Sequence, residues 1–393
     1  MPQPTRPEPS SRSGPRSAGL PLGRFFGVPV FLSPSWLIIA AIITFSYSDL
    51  VRNNVDGIGQ GGAYLLSFGF AVLFAVSLLA HELGHVAMCL LLDLKVRRVV
   101  IFLLGGVSEI EGEARRPREE YLVAIAGPLV TVLVAALTGA FSLLARPGSA
   151  VRLMLEILAW SNVLVAGFNL LPGLPLDGGK VLRAAVWQVS RSRLTGTRAA
   201  AWSGRGLALL VMALAVFTVP GRDVGLAVAS LALAGLLATF IWVSASQSLT
   251  VATINSRLPE LRIADLVRPT LDVPADLPVS EALRRAWESR SQGLVVVDST
   301  GQPTAIVSEA QVMALPEQRR PWTTVAEVAR PLEPGLRLAD SATGEAVLDA
   351  VRATPASEYL VVGGDGRPVG VLATTDVATV LRRWGAAAAG VRR

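Results

Sequence analysis

The chain has 393 residues, 51% of them hydrophobic, and 36 Lys and Arg against 30 Asp and Glu, for a net charge of +6. Such apolar content with a positive mean hydropathy excludes a purely water-soluble chain and fits several membrane spans joined to a soluble unit. The basic residues fall largely between apolar segments, the signature of cytoplasmic loops rather than of a nucleic-acid surface, and the single cysteine, Cys89, excludes an intrachain disulfide.

Residues 1–20, rich in Pro, Ser and Arg, are expected to be a disordered tail without a cleavable signal peptide. Residues 24–31 read as a short extended segment, and a first span follows over about 34–47. The second span is the uncharged run 63–80, which passes directly into His81-Glu82-Leu83-Gly84-His85. At about 1.5 Å per residue that run covers roughly 27 Å, close to the hydrocarbon thickness of a bilayer. Residues 99–112 alternate and bend at Gly105-Gly106, which suggests a β-hairpin. Further spans are expected over 121–145, interrupted by Gly127-Pro128, and over 157–176, broken by Pro172, Gly173 and Pro175. The last two fall at 206–220 and 225–243, after a basic stretch with Lys180, Arg183, Arg191, Arg193, Arg198 and Arg205. Counting Lys and Arg on alternate sides puts the N-terminus in the cytoplasm, gives six spans, and leaves everything after the sixth cytosolic.

His81 and His85 are the only histidines in the chain. On a helix, i and i+4 share a face one turn apart, so both rings can grip one metal ion, with Glu82 beside them to take a proton from a metal-bound water. The motif lies at one membrane face, where ionisable groups are costly and usually functional. A catalytic zinc typically has three protein ligands, so the third here must be Asp, Glu or Cys89. Under the deduced topology the second and fourth spans end on the same side, and the fourth ends at Asp177 in Asn169-Leu170-Leu171-Pro172-Gly173-Leu174-Pro175-Leu176-Asp177-Gly178-Gly179. Non-helical backbone at membrane depth survives only where it lines a site or a wet cavity. Glu156 and Glu109 are weaker candidates, the first because it sits near the opposite face.

The H-E-L-G-H helix with the N-L-L-P-G-L-P-L-D-G-G loop resembles the site-2 protease family of intramembrane zinc metalloproteases. The R-F-F-G-V-P-V start, the F-L-L-G-G-V segment over 102–107 and the A-G-P of the third span match it too, so the resemblance covers about residues 20–190. It implies one zinc held by His81, His85 and Asp177, with Glu82 as general base. It also implies a zinc-activated water attacking a peptide bond of a membrane-spanning substrate, with Asn169 hydrogen-bonding the substrate or the oxyanion. Ser33 and Pro34 stand where the family often has a polar residue, a departure that leaves the zinc assignment alone. An exposed hairpin edge near 99–111 could hold an unwound substrate strand by main-chain pairing.

After Gln247 the composition is that of a soluble α/β unit with an internal repeat. Ala264-Asp-Leu-Val-Arg-Pro269 returns as Ala326-Glu-Val-Ala-Arg-Pro331, and Leu294-Val-Val-Val-Asp298 returns as Leu360-Val-Val. This pattern resembles a tandem CBS-domain pair, over about 258–316 and 322–384 within 248–393, behind a protease domain over 21–247. The resemblance implies a regulatory, dimerising module that could bind an adenine nucleotide, with Ser308 in the first copy and Asp376 in the second each keeping half of the ribose-binding pair. Gln311 replaces the acid in the first copy and Ala373 the hydroxyl in the second, so the second is expected to be the better site. The alternative function is a channel or transporter regulated by a CBS pair. The spans show no inverted repeat, however, and a transport path has no need of the histidine motif.

Overall fold

The computed structural model describes residues 19–102, 105–111, 114–219 and 223–389. The expected disordered tail lies outside the described residues except for its last two, as do Leu103, Leu104, Gly112, Pro220 and Arg222. By its internal contacts the chain divides into two compact units, one reaching to Ala245 and one starting at Ser246.

The first unit begins with a hairpin of β1 (Leu20–Phe25) and β2 (Val28–Leu32), turned through Phe26 and Gly27 at φ of 50° and 81°. Helices α1 (Trp36–Asn54) and α2 (Gln60–Leu91) follow, then β3 (Lys95–Phe102) and β4 (Gly105–Glu111). The four strands form one sheet in the order β1-β2-β3-β4, antiparallel except for β2 and β3, which α1 and α2 connect as a parallel crossover. Val28, Val30 and Val99 on its inner face pack against Val86 of α2, and Ile101 joins Trp36, Ala40 and Ala71 of the two helices. The sheet is thereby seated on the end of α2 that carries the histidine motif.

Helices α3 (Pro117–Leu144), α4 (Ala150–Asn169), α5 (Asp177–Ser190), α6 (Arg193–Thr218) and α7 (Val224–Arg257) complete this part of the chain. Among the described residues, five helices are long and apolar enough to cross a membrane: α2, α3, α4, α6 and the stretch Val224–Glu260 that contains α7. Their outward faces carry Leu65, Phe68, Leu129, Leu133, Leu209 and Leu233, all exposed, which suits lipid and not water. This is a multi-pass membrane protein. Helix α1, expected as a span over 34–47, runs from Trp36 to Asn54 and is not among the five.

Two expectations need correction. The basic stretch before the fifth span is not a loop: α5 occupies 177–190, and α6 begins at Arg193, well before residue 206. Ser192 starts α6 by accepting a hydrogen bond from Thr195 N at 3.3 Å. Arg205 lies buried on α6 over the rings of Trp202 and Trp242, at 4.8 and 5.4 Å from their centroids, so its charge meets aromatic faces and does not report a loop. The last apolar helix likewise does not stop near 243 but runs to Arg257.

The second unit contains β5 (Thr270–Pro274), α8 (Val279–Ser289), β6 (Gly293–Val297), β7 (Pro303–Val307), α9 (Glu309–Ala314) and β8 (Ala329–Pro331). A second run comprises β9 (Arg337–Ala339), α10 (Gly344–Ala353), β10 (Glu358–Val362), β11 (Pro368–Ala373) and α11 (Thr374–Ala389). Val279 and Gly344, Gly293 and Glu358, Pro303 and Pro368, and Glu309 and Thr374 begin equivalent elements, each pair 65 residues apart. In each copy a parallel strand pair joined by a helix is followed by an antiparallel strand and a further helix. Each copy has its own core, one around Val273, Val296 and Val325 and one around Ile263, Leu338 and Tyr359. Val295 and Ile306 pack with Leu360 and Val371 to join them.

Candidate metal centre

One face of α2 buries His81, Glu82, His85 and Cys89, and α3 packs against it through glycines on both sides. A methyl group on Gly84 would stand 2.9 Å from the carbonyl oxygen of Ala126, and one on Gly127 would collide with the rings of His85 and His81. The small residues of the two helices are what lets the imidazoles fit between them.

Asp177 arrives from the far side. The chain leaves α4 at Asn169, turns through Leu170–Leu176 without regular structure, and starts α5 at Asp177 itself. Side chains at Gly178 and Gly179 would overlap the backbone of Leu170, Leu171 and Gly173, so the first turn of α5 can seat only with glycine there. From the other side α6 holds the loop: Leu174 N donates to Ala200 O at 3.1 Å, and Ser203 Oγ donates to Pro172 O. The loop contains a cis peptide at Leu174-Pro175.

The result is a triangle of ligand atoms. Asp177 Oδ2 lies 3.1 Å from His81 Nε2 and 3.2 Å from His85 Nε2, and the two nitrogens are 3.2 Å apart. Four-coordinate zinc with bonds of about 2.0–2.1 Å spaces its ligand atoms about 3.3 Å apart. The tautomers agree with a cation at the centre. His85 Nδ1 is 2.7 Å from the carbonyl oxygen of Val123, which can only accept, so Nδ1 carries a proton and the neutral ring has its lone pair on Nε2. His81 Nδ1 is 2.8 Å from Thr131 Oγ1, whose own proton goes to Gly127 O at 3.3 Å, so this ring too carries its proton on Nδ1. With both rings neutral, two nitrogen lone pairs and a carboxylate oxygen point at one another, in a place 5% exposed at all three residues. A cation held among them would satisfy that donor set.

Glu82 is buried beside the cluster and accepts a hydrogen bond from Ser108 Oγ of β4 at 2.7 Å. Gly106, on the same strand, leaves the space that the Glu82 carboxylate occupies. Lys180, one turn into α5, donates to Asp177 Oδ1 at 2.9 Å. Asn169 is half-buried at the end of α4, and its amide hydrogen-bonds none of these side chains. Of the other candidate ligands, Glu109 pairs with Arg98 at 2.7 Å and Glu156 with Arg152 at 2.8 Å, while Cys89 is a free thiol buried one turn beyond His85.

In the second unit, Ser308 precedes α9 without capping it, and Asp376 lies in the first turn of α11. The Asp376 carboxylate is held by both ends of the Arg268 guanidinium, at 2.7 and 2.9 Å, and Arg268 also reaches Glu309 at 2.9 Å. This pairing holds the Arg268 guanidinium firmly in its charged form. The acid expected to serve a ribose is thus engaged within the chain.

Sequence reasoning missed Thr131, Ser108, Lys180, Gly106 and Gly127. Signals for some of them were present: Thr131 is a hydroxyl residue one turn after Gly127 in an apolar stretch, and Lys180 stands three residues after Asp177.

Residues 69–148 and 145–213 match the description Peptidase family M50. Rip3 of Mycobacterium tuberculosis, which carries the name zinc metalloprotease, is 30% identical over 372 residues, 92% of each chain. A Synechocystis protein of the same designation, sll0528, is 28% identical over 92% of this chain and 95% of its own. Among solved structures, the site-2 protease from Methanocaldococcus jannaschii aligns at 24% identity and a TM-score of 0.42, covering 59% of this chain and 95% of its own. The fold and the buried cluster define a polytopic membrane protein with a group of side chains, His81, His85 and Asp177, that could hold a metal ion. The chain belongs to peptidase family M50, the site-2 protease family of intramembrane zinc metalloproteases.

Proposed function

We propose that His81, His85 and Asp177 hold one zinc ion and that Glu82 is the general base in cleavage of a membrane-spanning protein substrate. The observation that carries this reading is the convergence of three buried ligand atoms beside a buried carboxylate. Bound zinc supplies a Lewis acid that makes water a nucleophile near neutral pH. The chain's own residues do the rest. The carboxylate of Glu82, held by Ser108, accepts the proton and passes it to the leaving amine. Val123 and Thr131 keep the lone pairs of His85 and His81 aimed at the metal. Asn169, at the mouth of the loop, hydrogen-bonds the substrate or the oxyanion. β4 is an edge strand of its sheet and touches Glu82 through Ser108, so an unwound substrate strand paired with it would present carbonyls to the base.

In the same reading α1 is the sixth span, both termini are cytoplasmic, and the domains run over 1–20, 21–247 and 248–393. The repeated unit is a tandem CBS pair that modulates cleavage and joins two protomers. An adenine nucleotide is its candidate ligand, and engagement of Asp376 by Arg268 moves the balance away from the second copy as the stronger half-site.

Zinc analysis and cleavage of a membrane-spanning peptide by the purified chain test this reading. Glu82→Gln should keep one zinc and lose cleavage, whereas Asp177→Ala should lose both. Stoichiometric zinc in Asp177→Ala would move the third ligand elsewhere, and a zinc-free wild type would favour the transporter. A reporter fused after Arg393 should be cytoplasmic and one near 53–61 external; the reverse would invert the topology.

A further inference from the structure

The two carboxylate oxygens of Asp177 face different partners. Oδ2 faces both histidine nitrogens, while Oδ1 accepts from the Lys180 ammonium at 2.9 Å. The Asp177 side chain is 7% exposed and that of Lys180 39%, so the lysine reaches inward from the rim of the site to a buried oxygen. This is not the loose surface pair that an i, i+3 spacing usually gives, because the backbone at one end is fixed. Gly178 and Gly179 seat the first turn of α5 tightly on Leu170, Leu171 and Gly173, leaving the aspartate little freedom except rotation of its carboxylate.

We propose that Lys180 is a positioning residue of the metal centre, one that holds Asp177 as a ligand through Oδ2 alone. The inference rests on the assignment of His81, His85 and Asp177 as ligands. A carboxylate with both oxygens free can close on a metal through the two of them, which takes a four-coordinate site to five and crowds the position that a catalytic zinc keeps for water or substrate. Oδ1 bonded to an ammonium cannot do so without breaking a charge-assisted hydrogen bond in a buried setting. Lys180 therefore protects the open position, and it does so as a fixed charge with a directed proton. Arginine can replace both properties, whereas methionine keeps the length and supplies neither.

The test replaces zinc by Co2+ in the purified full-length chain and reads its visible absorption, since four-coordinate Co2+ absorbs more strongly than five-coordinate. Wild type and Lys180→Arg should show the strong four-coordinate band. Lys180→Met should still take up one metal per chain but show a weaker band, with cleavage reduced roughly 10- to 100-fold, the range typical of lost outer partners. A Lys180→Met spectrum and cleavage rate equal to wild type would overturn the proposal, as would a Lys180→Arg variant that behaves like Lys180→Met. Asp177→Ala separates the two levels of inference. If it binds metal with an unchanged spectrum, the ligand assignment fails; if it loses metal while Lys180→Met matches wild type, only the role of Lys180 fails. Should Lys180→Met not fold, Lys180→Gln, shorter and uncharged, is read by the same spectrum.

Discussion

Gly127 of α3 stands directly against the imidazole of His85. A methyl group on its α-carbon would fall on Nε2 and Cε1 of that ring, and 2.7 Å from His81 Nε2. Both rings are pinned from behind by Val123 and Thr131, so neither can retreat. Gly127→Ala should therefore displace the ligand atoms, costing about 1–3 kcal/mol as an overpacked core does. Zinc content of the purified variant should fall well below one per chain; full occupancy would show that the helices separate easily.

Gly106 makes the matching contact with the base. An added methyl group would overlap Glu82 Cγ and lie 2.7 Å from Cδ and 2.8 Å from Oε1. Gly106→Ala should push the carboxylate aside while leaving all three ligands untouched. The expected outcome is retained zinc with cleavage reduced by at least about tenfold, which a shift of the base worth about 1.4 kcal/mol in the barrier would produce. Unchanged turnover would mean that β4 yields instead.

Thr131 tests the outer partner of a histidine. Thr131→Val keeps the shape and removes the acceptor for His81 Nδ1, leaving a buried donor unsatisfied. Zinc affinity, measured by competition with a chelator, should fall roughly 10- to 100-fold, and Thr131→Ser should restore most of it. Equal affinities in all three proteins would remove Thr131 from the metal centre.

In the C-terminal unit, Arg268→Ala releases the Asp376 carboxylate from its two hydrogen bonds. If Asp376 can serve a ribose, calorimetry on the full chain should show AMP or ATP binding about tenfold tighter in Arg268→Ala than in wild type, an exchange of about 1.4 kcal/mol. Tighter binding by wild type would instead place Arg268 on the phosphate side of the ligand.

Local spacing determined what depends on neighbours in sequence. Helical geometry alone puts His81 and His85 on one face with Glu82 next to them, and the prolines and glycines of the 169–179 loop announce a broken helix ending in an acid. Two copies of a short motif likewise announced the doubled C-terminal unit, now seen as equivalent elements 65 residues apart, for example Gly293 and Glu358. Helix limits were less legible. Arg193, Arg198 and Arg205 read as loop charges because hydropathy averages over a window, whereas the start of α6 is set by one capping serine and Arg205 is accommodated by two tryptophans. Only the tertiary structure decided how the ligands are held. Thr131 meets His81 across 50 residues, Val123 meets His85 across 38, and Asp177 meets His81 across 96. Those meetings depend on glycines that let α2, α3 and α5 approach closely, and close approach between distant segments leaves no periodic trace in a sequence.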